Sequence, residues 1–135
     1  MNKSILHAKP PILLDDYKKI LNLIMDLESL HNNPCSYASL LEGAVVHIEP
    51  EGIRLSGRAE IEAYRIKQID KKVYAEFAIE QQIILNENAV LLTCTETIIH
   101  AFYRGMQTKS IRLYNILLRK SENVWRFYSL QILNI

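Results

Sequence analysis

Long hydrophobic runs are missing from this sequence. The longest, such as residues 12–14 and 89–92, fall far short of the ~20 apolar residues a membrane-spanning helix needs, so a helical membrane protein is excluded. Residues 1–11 carry one early lysine but not the apolar stretch of roughly 7 to 15 residues of a secretory signal, and the expectation is a cytoplasmic protein. Cysteine is scarce: Cys35 and Cys94 are too few and too far apart for a zinc motif, and in a reducing compartment such a pair reads as two free thiols. An excess of charge of one sign is absent as well. Sixteen Lys and Arg stand against fifteen Asp and Glu, a formal net charge of +1, so no bulk field draws the chain to nucleic acid or an anionic membrane. No phosphate-cradling glycine loop, nucleophile elbow or dinucleotide fingerprint occurs, and no cofactor is expected.

What is present is an ordinary globular balance, 49% hydrophobic and 23% charged residues over 135 positions, which suits one domain with one core. Pro10-Pro11 separates a tail, residues 1–13, from a domain over residues 14–135. Tyr17, Ile20, Leu21, Ile24, Leu27 and Leu30 recur at helical spacing, predicting a first helix over residues 14–30, with Asp15 and Asp16 in the turn where the helix dipole favours negative charge. Asn32-Asn33-Pro34 ends it. Ser36 reads as the cap of a short second helix closed by Gly43. Residues 44–49 and 53–56 flank the turn Pro50-Glu51-Gly52 as a small hairpin, and a third helix runs over residues 58–69 with Ile61 and Tyr64 or Arg65 on its apolar stripe. The period then changes to two over residues 73–85, 89–103, 110–119 and 124–135, four antiparallel strands joined by hairpins. Helices followed by a meander predict an α+β fold, helices on one face of a curled sheet, with Leu27, Ile61 and Phe77 buried together.

This order of elements, with Glu42-Gly43-Ala44-Val45-Val46, Pro50-Glu51-Gly52, Gly57-Arg58-Ala59-Glu60-Ile61, and Leu118-Arg119-Lys120 leading to Trp125-Arg126-Phe127, resembles the NTF2-like superfamily, in particular its SnoaL-like and ketosteroid-isomerase-like branch. The resemblance covers residues 14–135. It implies a cone of three helices packed on a curved antiparallel sheet, with a mouth between the helices and the concave face. It leaves function open, because the superfamily hosts isomerases, dehydratases, cyclases, epoxide hydrolases and non-catalytic association domains.

Glu49 is the first candidate catalytic residue: it stands just before Pro50 at a strand end, where an apolar pocket would raise its carboxyl above the ordinary 4.3 or so and make it a general base. The proton-shuttling carboxylate of ketosteroid isomerases holds a similar place, although residues 43–50 are one residue longer here, which would turn the carboxylate to the other strand face. The alternative is a hairpin-rim glutamate in water. Asn115, the one amide in the apolar run 113–118, could donate to a developing oxyanion from near the place where the isomerases have a protonated aspartate, or be a core amide bonded to its neighbours. Glu96 and His100 share a strand face with Leu92, Cys94, Ile98 and Phe102, while Thr93, Thr95 and Thr97 take the other. If the first set points inward, both line a cavity about 13 Å apart, with His100 a second relay; otherwise they pair with Arg or Lys across the sheet.

His47, Glu96, Trp125 and Phe127 are candidate ligand-binding residues, with core packing the alternative for the two aromatics. His47, Glu49 and Glu51 alternate, but Glu51 falls in the turn and no further ligand supports them, so no metal is expected. Tyr17 lies too early in its helix to serve as the catalytic phenol of the isomerases, and their triad is not reproduced. Arg104, Lys109, Arg112, Arg119, Lys120 and Arg126 interleave with Tyr103, Tyr114 and Tyr128, which would suit single-stranded nucleic acid as one strip; the reading taken is the solvated sides of strands, with no nucleic-acid partner. Two functions follow. One is a pocket protein binding a small, mostly apolar ligand, as an isomerase, cyclase or dehydratase would. The other is a non-catalytic association domain, a homodimer through a sheet face containing Thr93, Thr95, Thr97, Tyr114 and Ile116.

Overall fold

In a computed structural model, residues 14–29, 33–67, 72–101 and 105–135 are described. The expected tail, and Leu30, His31, Phe102, Tyr103 and Arg104, lie outside them.

Helix α1 (Leu14–Ser29) buries Ile20, Ile24 and Leu27 at helical spacing. Its stripe begins one residue earlier than the sequence pattern suggests: Tyr17 is 37% exposed and Asp16 is buried in its place. Asp16 tolerates burial because it is fully engaged. Lys120 Nζ donates to its Oδ2 at 2.9 Å and the Trp125 indole N–H to its Oδ1 at 3.1 Å, two charge-assisted bonds that clamp the first turn of α1 to the far hairpin.

Helix α2 (Pro34–Ala38) starts earlier than expected, and its cap is Asn33, not Ser36. Asn33 accepts from the Ser36 amide at 3.3 Å, and Pro34 takes the first helical position, where a missing N–H costs nothing. Because the helix ends early, Gly43 closes no helix and lies inside strand β1 (Leu41–Ile48). β1 forms the expected hairpin with β2 (Arg54–Ser56). Gly57 follows with φ +85, a conformation that favours glycine, and Ile61 N–H donates to its carbonyl as α3 (Arg58–Lys67) begins. Arg58 Nε donates to Leu41 O at 2.7 Å, and Ile61 is fully buried. The Gly-Arg-x-x-Ile string is thus a turn, a strap to β1 and a core anchor.

Strands β3 (Lys72–Asn86), β4 (Ala89–Ala101), β5 (Gln107–Ser121) and β6 (Val124–Asn134) form the meander. β5 starts earlier than its apolar pattern because polar Gln107, Thr108 and Lys109 pair with Ala101, His100 and Ile99. The β5–β6 turn holds Glu122 and Asn123 at φ 52 and 63, the left-handed pair of a tight hairpin. The sheet departs from the all-antiparallel expectation. Its order is β2-β1-β6-β5-β4-β3, and β1 runs parallel to β6, so hairpin and meander become one six-stranded mixed sheet. Register shifts in β3 and, at Tyr128, in β6 bend it, and the helices cover its concave face. Leu27, Ile61 and Phe77 join one core cluster. No helix among the described residues is long and apolar enough to cross a membrane.

Lys120 and Trp125 hold the Asp16 carboxyl below the usual carboxylate range. Its contribution is therefore complete above about pH 3.8 and lost as pH falls through the lowered folded-state value. Asp16→Ala should destabilise the fold by about 2 kcal/mol, the scale of a bond to a charged group, read as a lower urea midpoint at pH 7.

Candidate functional site

Alternation along β1 sends Val45 and His47 inward, and Glu49 continues on the same side. The carboxylate is 7% exposed, so it is neither on the rim nor turned to the other face. The turn holds it: Glu49 N–H donates to Ile53 O, and Gly52 N–H to Glu49 O, both at 2.8 Å. From β4, Glu96 arrives fully buried and accepts from Tyr114 Oη at 2.8 Å. Arg112 on β5 is its direct cross-strand partner. From α3, Arg65 lies one turn after Ile61, on the face that packs inward, and places Nη2 3.6 Å from Glu49 Oε1 and its guanidinium 5.1 Å from the Tyr37 ring centre. From α2, Tyr37 puts its hydroxyl 2.8 Å from His47 Nε2.

The interior therefore gathers His47, Glu49 and Glu96 with Tyr37 and Arg65, which sequence reading assigned to no site, and with Arg112 and Tyr114, which it read as solvated strand residues and, for Tyr114, as part of the association face. Arg65 was legible as an apolar-stripe position, and the inward parity of Arg112 and Tyr114 follows from pairing Glu96 and Cys94 across the ladder. Nothing in the sequence pointed to Tyr37. Among the described residues, three buried side-chain nitrogens have no hydrogen-bond partner, and all belong to this group: His47 Nδ1, Arg65 Nε and Arg112 Nε. His47 Nδ1 is 3.8 Å from Glu49 Oε1, an ion-pair distance but too long for a hydrogen bond. Each unpartnered buried donor costs about 1–3 kcal/mol.

The electrostatics reverse one expectation. Burial by itself would raise the Glu49 carboxyl, but His47, Arg65 and Arg112 together outweigh it and hold the group below its ordinary value, so Glu49 is a carboxylate at neutral pH. Burial pushes the His47 imidazole down, with Glu49 opposing and Arg65 assisting, so His47 is neutral. Burial also raises the Tyr37 and Tyr114 phenols, which stay protonated.

The other candidates lie elsewhere. Asn115 is exposed on the convex face, where Thr93 Oγ1 donates to it at 3.4 Å; its neighbours Tyr114 and Ile116 are the inward pair, so it does not share a void with Glu49. Trp125 and Phe127 are buried at the opposite end of the sheet. Trp125 pairs with Lys120, eight residues and about 26 Å along β5 from Arg112, and it is occupied by Asp16, so it lines no common pocket with Glu49. His100 is half-buried on the Glu96 face, about 13 Å along β4. The interleaved basic and aromatic residues do not form one strip: Arg112 and Tyr114 turn inward, Lys120 bonds Asp16, and Arg119 stacks 4.5 Å over Tyr128. Among the described residues no three His, Cys, Asp or Glu side chains gather as metal ligands. Burial pushes the Cys94 thiol up to about 12, leaving it unreactive.

No known protein family and no curated protein matches the sequence. Solved structures do match the fold. A dehydratase candidate of the NTF2-like family from Streptomyces avermitilis superposes with a TM-score of 0.74 over 90% of this chain and 97% of its own, at 16% identity. An NTF2-like protein of unknown function from Prochlorococcus marinus gives 0.72 over 87% and 91% at 17%, and a ketosteroid isomerase-like protein from Erwinia carotovora atroseptica 0.71 over 85% and 90% at 12%. The chain has the NTF2-like fold, as the sequence resemblance implied.

Neutral burial of His47 sets a pH dependence. Its folded-state value is lowered, so its share of stability is complete above the ordinary 6.5 and declines as the unfolded chain takes up the proton below that. Urea midpoints should fall from pH 7.5 to 5.5, by at most about 1.4 kcal/mol per pH unit from this group, and His47→Gln should flatten the profile in that window. Glu49, also lowered, acts only below its ordinary 4.5.

Proposed function

We propose that this chain is a pocket protein that binds a small, mostly apolar molecule in the cone interior and acts on it by general acid–base chemistry, as an isomerase, cyclase or dehydratase does, with Glu49 as the base. The observation that carries this is the burial of Glu49, Glu96 and His47, at 7%, 0% and 0% exposure, in one interior cluster with Arg65 and Arg112. Removing an ionised carboxylate such as Glu49 from water costs several kcal/mol, and perturbed titratable groups such as Glu49 and His47 cluster where chemistry is done. The fold of the similar solved structures is compatible with such a pocket, although fold alone assigns no activity.

In this reading Glu49 removes a proton adjacent to a substrate carbonyl. Its lowered pKa makes it a weaker base than an ordinary glutamate, and the compensation in this reading is that Arg65 and Arg112, which hold the resting carboxylate, can transfer their stabilisation to the oxygen that gains charge. Neutral His47, tied to Tyr37 through Nε2, has Nδ1 3.8 Å from Glu49 and without a hydrogen-bond partner, available to a ligand oxygen. His100 would serve as a relay only for a ligand spanning the distance from Glu96. Asn115 has no part.

A second observation favours self-association, alongside the pocket. The convex face carries an apolar groove of ≈ 210 Å³ lined by Val46, Ile48, Leu91, Leu117 and Leu130, continued by Ile83 and Leu133, 46% and 39% exposed. This face, with Thr93, Thr95 and Thr97 but without the inward Tyr114 and Ile116, suits a homodimer.

Two measurements follow. In deuterated water a panel of small cyclic ketones should exchange α-protons with wild-type protein, and Glu49→Gln should lower the rate by about 10² or more, the contribution of a placed base, with a lowered thermal midpoint because buried Arg65 loses the carboxylate it faces. Absence of exchange across the panel rejects catalysis. Sedimentation at tens of micromolar should give a dimer, where a micromolar interface is mostly formed, and Leu91→Lys with Leu117→Lys a monomer; a wild-type monomer rejects the interface.

A further inference from the structure

The three unpartnered nitrogens bear on the charge of the ligand. Arginine Nε is always a donor. The Glu49 carboxylate 3.8 Å from His47 Nδ1 favours the imidazole hydrogen on that atom rather than a lone pair, so Nδ1 is taken as a donor and Tyr37 as donating to Nε2 at 2.8 Å. His47 Nδ1, Arg65 Nε and Arg112 Nε thus present three N–H groups, from β1, α3 and β5, without an acceptor. Native proteins satisfy nearly all buried polar groups, and three deficits of one sign in one cluster define the complement. Arg65 reaches Glu49 through Nη2 at 3.6 Å, which leaves its Nε uncommitted. Beside the polar cluster, Phe77 packs edge-on against Tyr114 with ring centres 5.1 Å apart, giving the cluster an apolar border.

We propose that the interior site seats a small organic monoanion, a carboxylate on an apolar body, with its oxygens on Arg65, Arg112 and His47. The proposal rests on the pocket reading above and adds the charge class of the ligand. A carboxylate has acceptors and no donors, which is what three N–H groups require, and its two oxygens match a guanidinium edge. An uncharged amide brings N–H groups of its own to a wall of donors. The Glu49 carboxylate, close to the same guanidinium, repels the guest, so its charge tunes affinity in the direction opposite to that of the arginines.

Sodium benzoate and its uncharged isostere benzamide test the proposal by calorimetry and by the arginine Nε–H signals in nitrogen-edited NMR. Benzoate should bind at millimolar concentrations, move the Arg65 and Arg112 signals, and bind at least about tenfold more tightly than benzamide, a gap of 1.4 kcal/mol. Arg112→Lys, which keeps the charge and loses Nε, should weaken benzoate, while Glu49→Gln should tighten it. Equal binding of the two probes, no binding of benzoate to folded protein, or unmoved arginine signals would overturn the anion seat. Should Arg112→Lys not fold, the wild-type arginine signals decide. Benzoate binding without ketone exchange rejects the acid–base reading and keeps the seat; ketone exchange without benzoate binding does the reverse.

Discussion

The parallel pairing of β1 with β6, in which Val46, His47 and Ile48 lie against Ser129, Leu130 and Gln131, assigns alternate residues of β1 to opposite sides of the sheet. His47 and Glu49 go to the interior, Val46 and Ile48 to the convex groove. Without that pairing the β1–β2 hairpin would be a two-stranded ribbon with no reason to hold a carboxylate out of water. With it, the hairpin becomes a wall of the cone and the Pro50 turn brings Glu49 to Arg65. The same register separates the two surfaces on which function is proposed.

Two buried carboxylates differ in how they are partnered. Asp16 has a lysine and an indole at hydrogen-bond distance, and its role is to fasten α1. Glu49 has the Arg65 guanidinium at 3.6 Å and the neutral His47 ring at 3.8 Å, beyond hydrogen-bond reach, among buried nitrogens that lack partners. Both carboxyls are lowered, so the direction of the shift does not separate them. Hydrogen-bond completeness does: Asp16 has both oxygens bonded, whereas the Glu49 group includes three buried nitrogens without a partner.

Periodicity alone determined much of this protein. The 3.6-residue spacing of Ile20, Ile24 and Leu27, the turn at Gly57 and the two-residue alternation from Val73 onwards fixed an α+β chain of three helices and a meander, because those patterns depend on neighbours a few residues away. Parity also put Glu96 on the face of Cys94 and Ile98, where it is buried. The tertiary structure decided whatever depended on distant partners. Asp16 looked like a dipole residue until Lys120 and Trp125, more than a hundred positions on, gave it a buried role. Asn115 looked like an interior donor because its apolar neighbours are buried, yet on a strand the neighbours of a buried residue face outward. Glu49 was expected to be raised by burial, the one effect readable locally; its lowering needed Arg65 from a helix and Arg112 from a strand that only folding brings to it.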